Sequence, residues 1–452
     1  MATLTAYDQY IDDHFAEMVE EVRALCQVPS ISAQGVGLRE TAERVAERLR
    51  AVGAKAHLVE IEGGPPWVFG EIGSGSRTLA FYNHYDVQPP EPLDLWTSPP
   101  FSAELRDGKI FARGVADNKG DLVARMQAVA AYQQTVGELP LRVIFLVEGE
   151  EEVGSPHLQQ FVDQNAELMA SADGCLWEGG WRDPTGRPQL SLGLKGICYV
   201  ELRAHGAKRD AHSMWATVVP NPAWRLTWAL ATLKDVHERI AVDGLLKHVA
   251  EPSDADIDCL RSIPVDEQAA KAEFGIPRFL LDLEGEELLR KHLFEPTCTI
   301  CGLLSGYTGE GTKTVLPSRA VAKVDFRLVP NLRPELVLEL LREHLDRRGF
   351  QDIEIVPFSS MRPAKTPLEA PVVRAAAEAA RSVYAAEPIV YPLMAGSGPM
   401  YTLCQGLGVP TVAAGVSYTG SKEHAPDEHI RLEDLNLGIK YIGHLMERFA
   451  KG

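Results

Sequence analysis

A dense group of carboxylates follows an apolar run in the middle of the sequence, LRVIFLVEGEEEVGSP (residues 141–156). The continuous apolar stretch Val143 to Val147 is typical of a strand buried on both faces. Directly after it come the acidic residues Glu148, Glu150, Glu151 and Glu152. An acidic run taken alone is most often a solvated loop. Carboxylates that repel one another at a strand end can also be neutralised by a divalent metal ion. Whether this run is a solvated loop or part of a metal site therefore depends on the other segments of the chain.

Other segments place a histidine or a carboxylate in a comparable position. TLAFYNHYDV (78–87) predicts a second buried strand, which ends in His84 and Asp86. A glycine-bearing loop carries Asp117, a short apolar run ends in Glu178, and a C-terminal strand leads into a loop with His424. Taken singly, Asp117 has a plainer explanation as a turn or N-cap residue, and His424 as a surface histidine. Because the carboxyl ends of parallel strands share one ligand-binding edge, the segments together predict one site.

Three carboxylates and two imidazoles make up a ligand set for two divalent ions, namely His84, Asp117, Glu152, Glu178 and His424. Each ion would receive one imidazole and one carboxylate, and a further carboxylate would bridge both. Bound ions of this kind lower the pKa of a water molecule and polarise a carbonyl, which amide hydrolysis requires.

Two more acidic residues complete the predicted site. Asp86 is close enough to His84 to accept its second ring N–H and fix the tautomer. A spare carboxylate beside the ions can take a proton from water and pass it to the leaving amine, and Glu151 is the candidate. Spacing alone does not assign the separate roles of Glu150, Glu151 and Glu152.

The surrounding pattern predicts a discontinuous α/β domain. Helical periodicity covers residues 7–27 and 39–52, and the second helix is followed by Gly53, a typical C-terminal stop. Residues 196–363 mix strand-like and helical stretches, which predicts an α+β insertion. Because candidate ligands lie on both sides of that segment, we expect residues 1–195 and 364–452 to form one domain, with a mostly parallel sheet and helices on both faces.

Composition narrows the functional classes. The chain has 452 residues, 45% of them hydrophobic, and a net charge of −18, which argues against nucleic acids and anionic membranes as partners. No apolar run approaches the roughly 20 residues of a membrane-spanning helix, and the N-terminus lacks a secretory signal, so we expect a cytoplasmic protein.

The cysteines and the absence of two known motifs argue against a disulfide framework and against two other types of hydrolase. Seven scattered cysteines favour reduced thiols. Cys298 and Cys301 have the spacing of a zinc or redox pair, but no second pair accompanies them, so we expect ordinary buried thiols. The sequence contains neither a G-x-S-x-G elbow nor an H-E-x-x-H helix, which disfavours serine hydrolases and single-zinc peptidases of the thermolysin type.

Several strings, spread over nearly the whole chain, resemble one superfamily: NHYDV, GVADNKGD, EGEEEVGS, GLKG with a later D-x-H-S, and KEHAP. This superfamily includes aminoacylase, acetylornithine deacetylase, succinyl-diaminopimelate desuccinylase, glutamate carboxypeptidase and carnosinase. The resemblance implies that His84, Asp117, Glu152, Glu178 and His424 bind two ions, with Asp117 bridging. It also implies that Glu151 is the general base and that the Asp117–Asn118 peptide is cis. His429 has no counterpart in the pattern and is expected at the surface.

The same resemblance gives the inserted segment a role. It implies a lid and dimerisation domain from which His212 stabilises the tetrahedral oxyanion, in the active site of the partner subunit. It also implies that Arg327 holds the terminal carboxylate of the substrate and that Gly396 and Ser397 provide further contacts to it. From the residues alone, His212 would be an ordinary lid histidine and Arg327 a strand-edge ion pair.

Three departures from the dipeptidase branch limit what the resemblance implies. Glu178 stands where that branch generally has aspartate, and the sequence after His212 lacks the glycine pair often found there. Residues 248–296 match no interpretable pattern. We therefore predict a cytoplasmic homodimeric two-metal hydrolase that cleaves an amide bond in a small substrate with a free carboxylate, as a dipeptidase or carboxypeptidase-like peptidase. The alternatives are an N-acyl-amino-acid deacylase and a catalytically silent binding protein. Zinc is the default ion, and manganese and cobalt suit the same ligands.

Overall fold

The structure is a computed structural model that describes residues 2–452. Its helices are α1 Ala2–Cys26, α2 Leu38–Ala51, α3 Gly120–Thr135, α4 Leu158–Ala170, α5 Pro222–Leu230, α6 Asp254–Ser262, α7 Glu267–Phe274, α8 Gly285–Phe294, α9 Pro334–Arg347, α10 Pro371–Tyr384, α11 Met400–Leu403 and α12 Leu432–Lys451. Its strands are β1 Lys55–Val59, β2 Trp67–Ile72, β3 Thr78–His84, β4 Glu104–Arg106, β5 Lys109–Phe111, β6 Arg142–Glu148, β7 Gly174–Trp177, β8 Trp181–Arg182, β9 Gln189–Ser191, β10 Gly193–Leu194, β11 Gly196–His205, β12 Ala211–His212, β13 Thr299–Ser305, β14 Val315–Leu316, β15 Arg319–Leu328, β16 Glu354–Met361, β17 Ala364–Lys365, β18 Ile389–Tyr391, β19 Thr411–Ala413, β20 Ser417–Tyr418 and β21 His429–Arg431.

The chain divides into two compact units. The first comprises Met1–Gly193, Lys365–Pro392 and Thr402–Gly452, and the second comprises Leu194–Ala364 and Leu393–Tyr401. The sequence places residues 393–401 in the first domain, whereas in the structure they pack with the second unit. Among the described residues, no helix combines the length and the apolar character that crossing a membrane requires.

The first unit is built on an eight-stranded sheet of order β1-β2-β6-β3-β7-β19-β9-β18. Its central strands β6, β3, β7 and β19 are parallel to one another, and β1, β2 and β9 introduce the antiparallel pairs. The two apolar runs that predict buried strands form the neighbours β3 and β6, with His84 opposite Glu148 in the register. The mainly parallel α/β architecture is therefore confirmed.

Helices cover both faces of this sheet, because consecutive strand residues point to opposite sides. Phe81 of β3 belongs to the large apolar core that also includes residues of α1, α3, α10 and α12. Tyr82, the next residue, faces the other side, where its ring stacks on Trp177 and contacts Trp67. Trp67 in turn stacks on Phe161 of α4 with ring centroids 3.9 Å apart.

The second unit contains an antiparallel sheet of order β13-β15-β11-β16. Alternate residues of β11, such as Cys198, Val200 and Leu202, are fully buried on the same face. Helices α5 and α9 pack against this sheet. Strand β13 forms one edge and exposes large apolar side chains, among them Ile300 and Leu303. This unit is the α+β insertion that the sequence predicts.

Candidate active site

Strand ends in the first unit deliver most of the predicted metal-binding side chains to one place. His84 is the last residue of β3, and Glu178 follows β7 directly. Glu151 and Glu152 lie in a short helical turn that begins after the end of β6. This clustering follows from the parallel sheet, whose central strands all end at the same edge.

Asp117 lies between the two predicted imidazole ligands. Its Oδ1 atom is 2.9 Å from Nε2 of His84, and its Oδ2 atom is 2.9 Å from Nε2 of His424. One carboxylate therefore contacts both imidazoles through different oxygens, which is the arrangement expected of a bridging ligand. The Asp117–Asn118 peptide is cis.

The remaining carboxylates divide between the two histidines. Glu178 Oε2 lies 2.9 Å from Nε2 of His84, and Glu152 Oε2 lies 3.1 Å from Nε2 of His424. Two groups of three residues bring ligand atoms within 4.8 Å of one another, His84 with Asp117 and Glu152, and His84 with Glu151 and Glu178. The structure thus brings together all five predicted ligands and the predicted base, although their roles stay predictions.

Asp86 contacts both His84 and the backbone of the turn that carries Glu151 and Glu152. His84 Nδ1 lies 3.0 Å from the carbonyl oxygen of Asp86 and 3.3 Å from its Oδ1 atom. The two carboxylate oxygens of Asp86 also accept hydrogen bonds from the backbone N–H groups of Glu151 and Glu152. Asp86 is fully buried, and its side chain contacts His84 and the backbone of Glu151 and Glu152.

Gln88 and Glu428 hold other parts of the cluster and were not predicted. The Gln88 side-chain amide donates to Oε2 of Glu152 at 2.9 Å. Glu428 is buried and accepts four hydrogen bonds, from the Arg113 guanidinium and from the backbone N–H groups of Gly114, Ala116 and Asp117. Glu428 therefore fixes the loop that presents Asp117.

Arg125 and Asp121, on α3, connect the strand ends behind the cluster. The Arg125 guanidinium is fully buried and donates to the carbonyl oxygens of Tyr82, Leu176 and Trp177. Asp121 accepts from the N–H groups of Gly179 and Val416, at 3.2 and 2.7 Å. The backbone next to His84 and Glu178 is thereby tied to one helix. The only sequence signal for this pair is two opposite charges four residues apart on an otherwise apolar helix.

The electrostatics of the cluster reflect crowded acids. Burial disfavours the charged imidazole of His84, but Glu178 and Asp117 raise its pKa well above the ordinary value. Hydrogen bonds to Asp117 and Glu152 raise the pKa of His424 to about 10. Burial and the neighbouring Glu178 raise the pKa of Glu151 well above its usual range. The carboxylates therefore make this cluster a strongly negative environment that favours nearby positive charge.

This donor set fits divalent metal ions. Glu178 Oε2 is buried and, although close to His84, accepts no well-directed hydrogen bond from the described residues. Zinc, manganese and cobalt ions bind to imidazole nitrogens and carboxylate oxygens that point to one place. In this cluster, the carboxylates outnumber the histidines. Without bound cations, it would be strongly unfavourable to hold four carboxylates so close together.

Four predicted residues lie in the second unit. His212 is exposed, its Nδ1 atom accepts from the Met214 N–H, and its Nε2 atom is 3.4 Å from Thr314 Oγ1. Arg327 donates from Nη1 to Ser397 Oγ at 2.8 Å and from Nε to Asp325. Gly396 precedes Ser397 and is exposed. Arg327 and the 396–397 loop are thus neighbours, while His212 lies on a separate strand.

Two expectations are wrong. His429 is buried with 4% exposure, where it contacts the Tyr418 hydroxyl through Nε2 at 2.6 Å and the Asp427 carbonyl through Nδ1. It is a structural histidine of β21 and not a surface residue. Cys298 and Cys301 form no disulfide, as expected, but only Cys298 is buried, and Cys301 is exposed on the edge strand β13.

Comparisons with known proteins agree with this geometry. The model of the peptidase family M20/M25/M40 matches residues 80–448. The chain belongs to this family. It is accordingly a metal-dependent hydrolase, and the catalytically silent alternative loses its support.

Individual M20 relatives cover most of the chain. A Beta-Ala-His dipeptidase of Rattus norvegicus is 28% identical over 411 residues, which are 85% of this chain and 83% of the relative. A Cys-Gly metallodipeptidase of Schizosaccharomyces pombe is 30% identical over 358 residues, 75% of each protein. The structure of an M20 family metallo-carboxypeptidase from Sulfolobus solfataricus is 38% identical, with a TM-score of 0.90 over 96% of this chain and 99% of that one.

The Arg125 contacts lead to a stability prediction. Arg125→Met keeps the apolar stem but leaves several buried carbonyls without donors, so we expect a loss of roughly 3–5 kcal/mol in the free energy of unfolding. Urea denaturation followed by circular dichroism measures this loss. The control is Arg44→Met, because Arg44 is an exposed helix residue paired with Glu40 and should change stability by less than about 0.5 kcal/mol. Equal stability of both variants would contradict the role of Arg125.

Proposed function

We propose that this M20 hydrolase is a dipeptidase that binds two divalent ions through His84, Asp117, Glu152, Glu178 and His424. The observation that carries the proposal is the Asp117 carboxylate, whose two oxygens each meet one imidazole at 2.9 Å. A carboxylate that contacts both histidines, with one further carboxylate beside each, supports a two-ion centre. The relatives named as dipeptidases support the choice of dipeptides over N-acyl amino acids.

Ions bound at this centre would supply Lewis acidity to the scissile carbonyl and acidity to the attacking water. Glu151 would accept the proton of that water and deliver it to the leaving amine. Asp86 orients Glu151 through the backbone N–H of that residue.

Arg327 is the proposed anchor for the free carboxylate of the substrate. Its side chain is one-third exposed, and its Nη2 atom has no partner among the described residues. A guanidinium fixed at Nε and Nη1 still offers donors for a carboxylate. Ser397, which accepts from Nη1, donates in turn to the Gly196 carbonyl at 3.0 Å, so the anchor and the 396–397 loop form one rigid group.

The finer proposals are a homodimer formed by the second unit, His212 acting in the partner's site, zinc as the usual ion, and a cytoplasmic location. The exposed apolar side chains of β13 and the exposed pair Trp224 and Trp228 on α5 support an interface with a second copy. The odd and scattered set of seven cysteines, which favours reduced thiols, supports the cytoplasm.

Substrate class and metal dependence can be tested together. Metal-stripped enzyme is assayed on dipeptides, their C-terminal amides and N-acyl amino acids, with zinc, manganese or cobalt added back in turn. We expect activity only with added metal, on free-acid dipeptides in preference to both other groups. Preference for N-acyl amino acids would replace the dipeptidase proposal by the deacylase. Equal cleavage of free acids and amides would contradict the carboxylate anchor.

The proton-transfer role of Glu151 predicts a specific defect. Glu151→Gln should lower kcat by about a hundredfold or more, because an amide cannot accept the proton, while metal content stays at the wild-type level. Glu150→Gln is the matched control, since the Glu150 carboxylate pairs with His157 and not with the candidate ligands. Steady-state kinetics and elemental analysis give both values. Full turnover in Glu151→Gln would remove Glu151 from the role of base.

The partner role of His212 predicts complementation. His212→Ala and Glu151→Gln dimers should each be nearly inactive. After subunit exchange, about one quarter of wild-type activity should return, because half of the dimers are mixed and each mixed dimer holds one complete site. Native mass spectrometry verifies the exchange. If activity stays absent in verified mixed dimers, His212 does not act across an interface.

A further inference from the structure

A continuous network of buried polar side chains lies next to the proposed metal centre, within the first unit. Its members are Arg125, Asn83, Asn118 and Asp121, none of them more than 2% exposed. Arg125 Nη1 donates to Asn83 Oδ1 at 2.8 Å, and the Asn83 amide donates in turn to Asn118 Oδ1. The Asn118 amide then donates to Asp121 Oδ2 at 3.0 Å. Because Arg125 and Asp121 lie one turn apart on α3, this polar network begins and ends on the same helix.

Two members of the polar network are sequence neighbours of predicted metal ligands. Asn83 directly precedes His84, and Asn118 directly follows Asp117. The side chains of the two asparagines are hydrogen-bonded to each other, and the two ligands next to them meet at 2.9 Å, between His84 Nε2 and Asp117 Oδ1. Displacement of either asparagine would therefore move the backbone of the adjacent ligand.

Asp121 extends the polar network to the strand end that carries Glu178. Its Oδ2 atom accepts from the backbone N–H of Gly179, which follows Glu178, at 3.2 Å. Its Oδ1 atom accepts from the backbone N–H of Val416 at 2.7 Å. Burial raises the pKa of Asp121 to about 6, so the carboxyl group is largely ionised at neutral pH. With the Asn118 amide included, this one carboxylate accepts hydrogen bonds from three separate segments.

The charged groups at the two ends fix the direction of the hydrogen bonds in the polar network. A guanidinium only donates, so the Asn83 atom that faces Arg125 must be the amide oxygen. An ionised carboxylate only accepts, so the Asn118 atom that faces Asp121 must be the amide nitrogen. The Asn83 nitrogen is then left opposite the Asn118 oxygen, as the hydrogen bond between them requires. A single orientation of both amides therefore satisfies every contact, which makes the arrangement rigid and specific.

We propose that Asn83 and Asn118 are positioning residues for the metal centre, because the polar network fixes the spacing between the ligands next to them before any ion binds. The inference rests on the proposed two-ion function and deepens it by adding side chains outside the ligand set. Groups that orient a metal ligand typically change the metal affinity by about 10- to 100-fold when they are removed. Both asparagines would act on the ions through hydrogen bonds and the backbone rather than by direct contact.

The test replaces Asn118 by leucine, which has a similar size but carries neither an amide donor nor an acceptor. In Asn118→Leu, the Asn83 amide and the Asp121 carboxylate each lose a buried partner, and the two adjacent ligands are no longer held together. Titration of metal-stripped enzyme with cobalt(II) should give an affinity about tenfold or more below that of the wild type. The visible absorption of bound cobalt(II), which reports the geometry of its ligands, should also change.

A stability control separates positioning from a general loss of structure. Leu49→Ala truncates a fully buried core residue on α2, a helix that contributes no side chain to the polar network, and it should destabilise the fold. Its cobalt(II) affinity and absorption should nevertheless equal those of the wild type. Equal losses of affinity in both variants, or none in Asn118→Leu, would overturn the inference and leave the two-ion function intact. A wild-type enzyme that binds fewer than two cobalt(II) ions would instead contradict the proposed function.

A second measurement needs no variant and covers the case in which Asn118→Leu fails to fold. Hydrogen–deuterium exchange is followed by mass spectrometry at the backbone N–H groups of Gly179 and Val416, in metal-stripped and cobalt-loaded wild-type enzyme. Because the polar network would form without ions, we expect both N–H groups to stay protected, with exchange rates within about threefold of those in the loaded enzyme. Loss of protection on metal removal would mean that the ions organise these segments, and it would overturn the inference.

Discussion

The buried guanidinium of Arg125 is the interaction on which the arrangement of the active site depends. It donates to carbonyl oxygens at the ends of β3 and β7, the two strands that lead to His84 and Glu178. Removing a charge from water costs several kcal/mol, and only a full set of acceptors offsets that cost. Arg125 is therefore stable only when the strand ends occupy the positions that also bring the ligands together, and the same requirement excludes looser arrangements of this edge.

Acidic side chains fulfil two different tasks at this edge. Asp121, Asp86 and Glu428 face backbone N–H groups and fix loops, because a buried carboxylate can accept several such bonds at once. Asp117, Glu152 and Glu178 instead face the histidines and one another. The first group positions the second. Burial raises the pKa of Asp121 to about 6 and that of Glu428 to about 7, whereas their N–H donors and the neighbouring arginines favour the charged carboxylates.

The sequence predicts the elements whose signal is local. Two apolar runs, each followed at once by polar residues, suffice to predict the neighbouring strands β3 and β6 and the ligand candidates at their ends. The periodicity of residues 39–52 likewise predicts α2, which ends next to Gly53 in a left-handed conformation with φ 88°. These signals are local because burial on both faces and helix termination depend on neighbouring residues.

Local sequence patterns do not predict the contacts of residues whose partners are distant in sequence. Glu428 binds N–H groups more than 300 residues away, and His429 is buried because β21 pairs with β5, so neither contact leaves a trace in the residues around it. The cluster of acids around 150 shows the same limit, since one carboxylate, Glu150, pairs with His157 while its neighbour Glu151 faces the ligands. The spacing of acidic residues and histidines predicts a metal site. Only tertiary contacts show which of the neighbouring acids face it.

Specificity is separable from hydrolysis in this fold for a physical reason. The proposed ions and base would act on the atoms that every amide shares, so such a ligand set would not distinguish a dipeptide from an N-acyl amino acid. Selection between these substrates must come from protein groups that bind the charged ends of the substrate. Arg327 in the second unit donates from Nε and Nη1 but keeps an Nη2 without a partner among the described residues, so it is the proposed partner of a free carboxylate. A substrate without a free carboxylate would leave that donor unsatisfied, although its amide bond would be chemically the same.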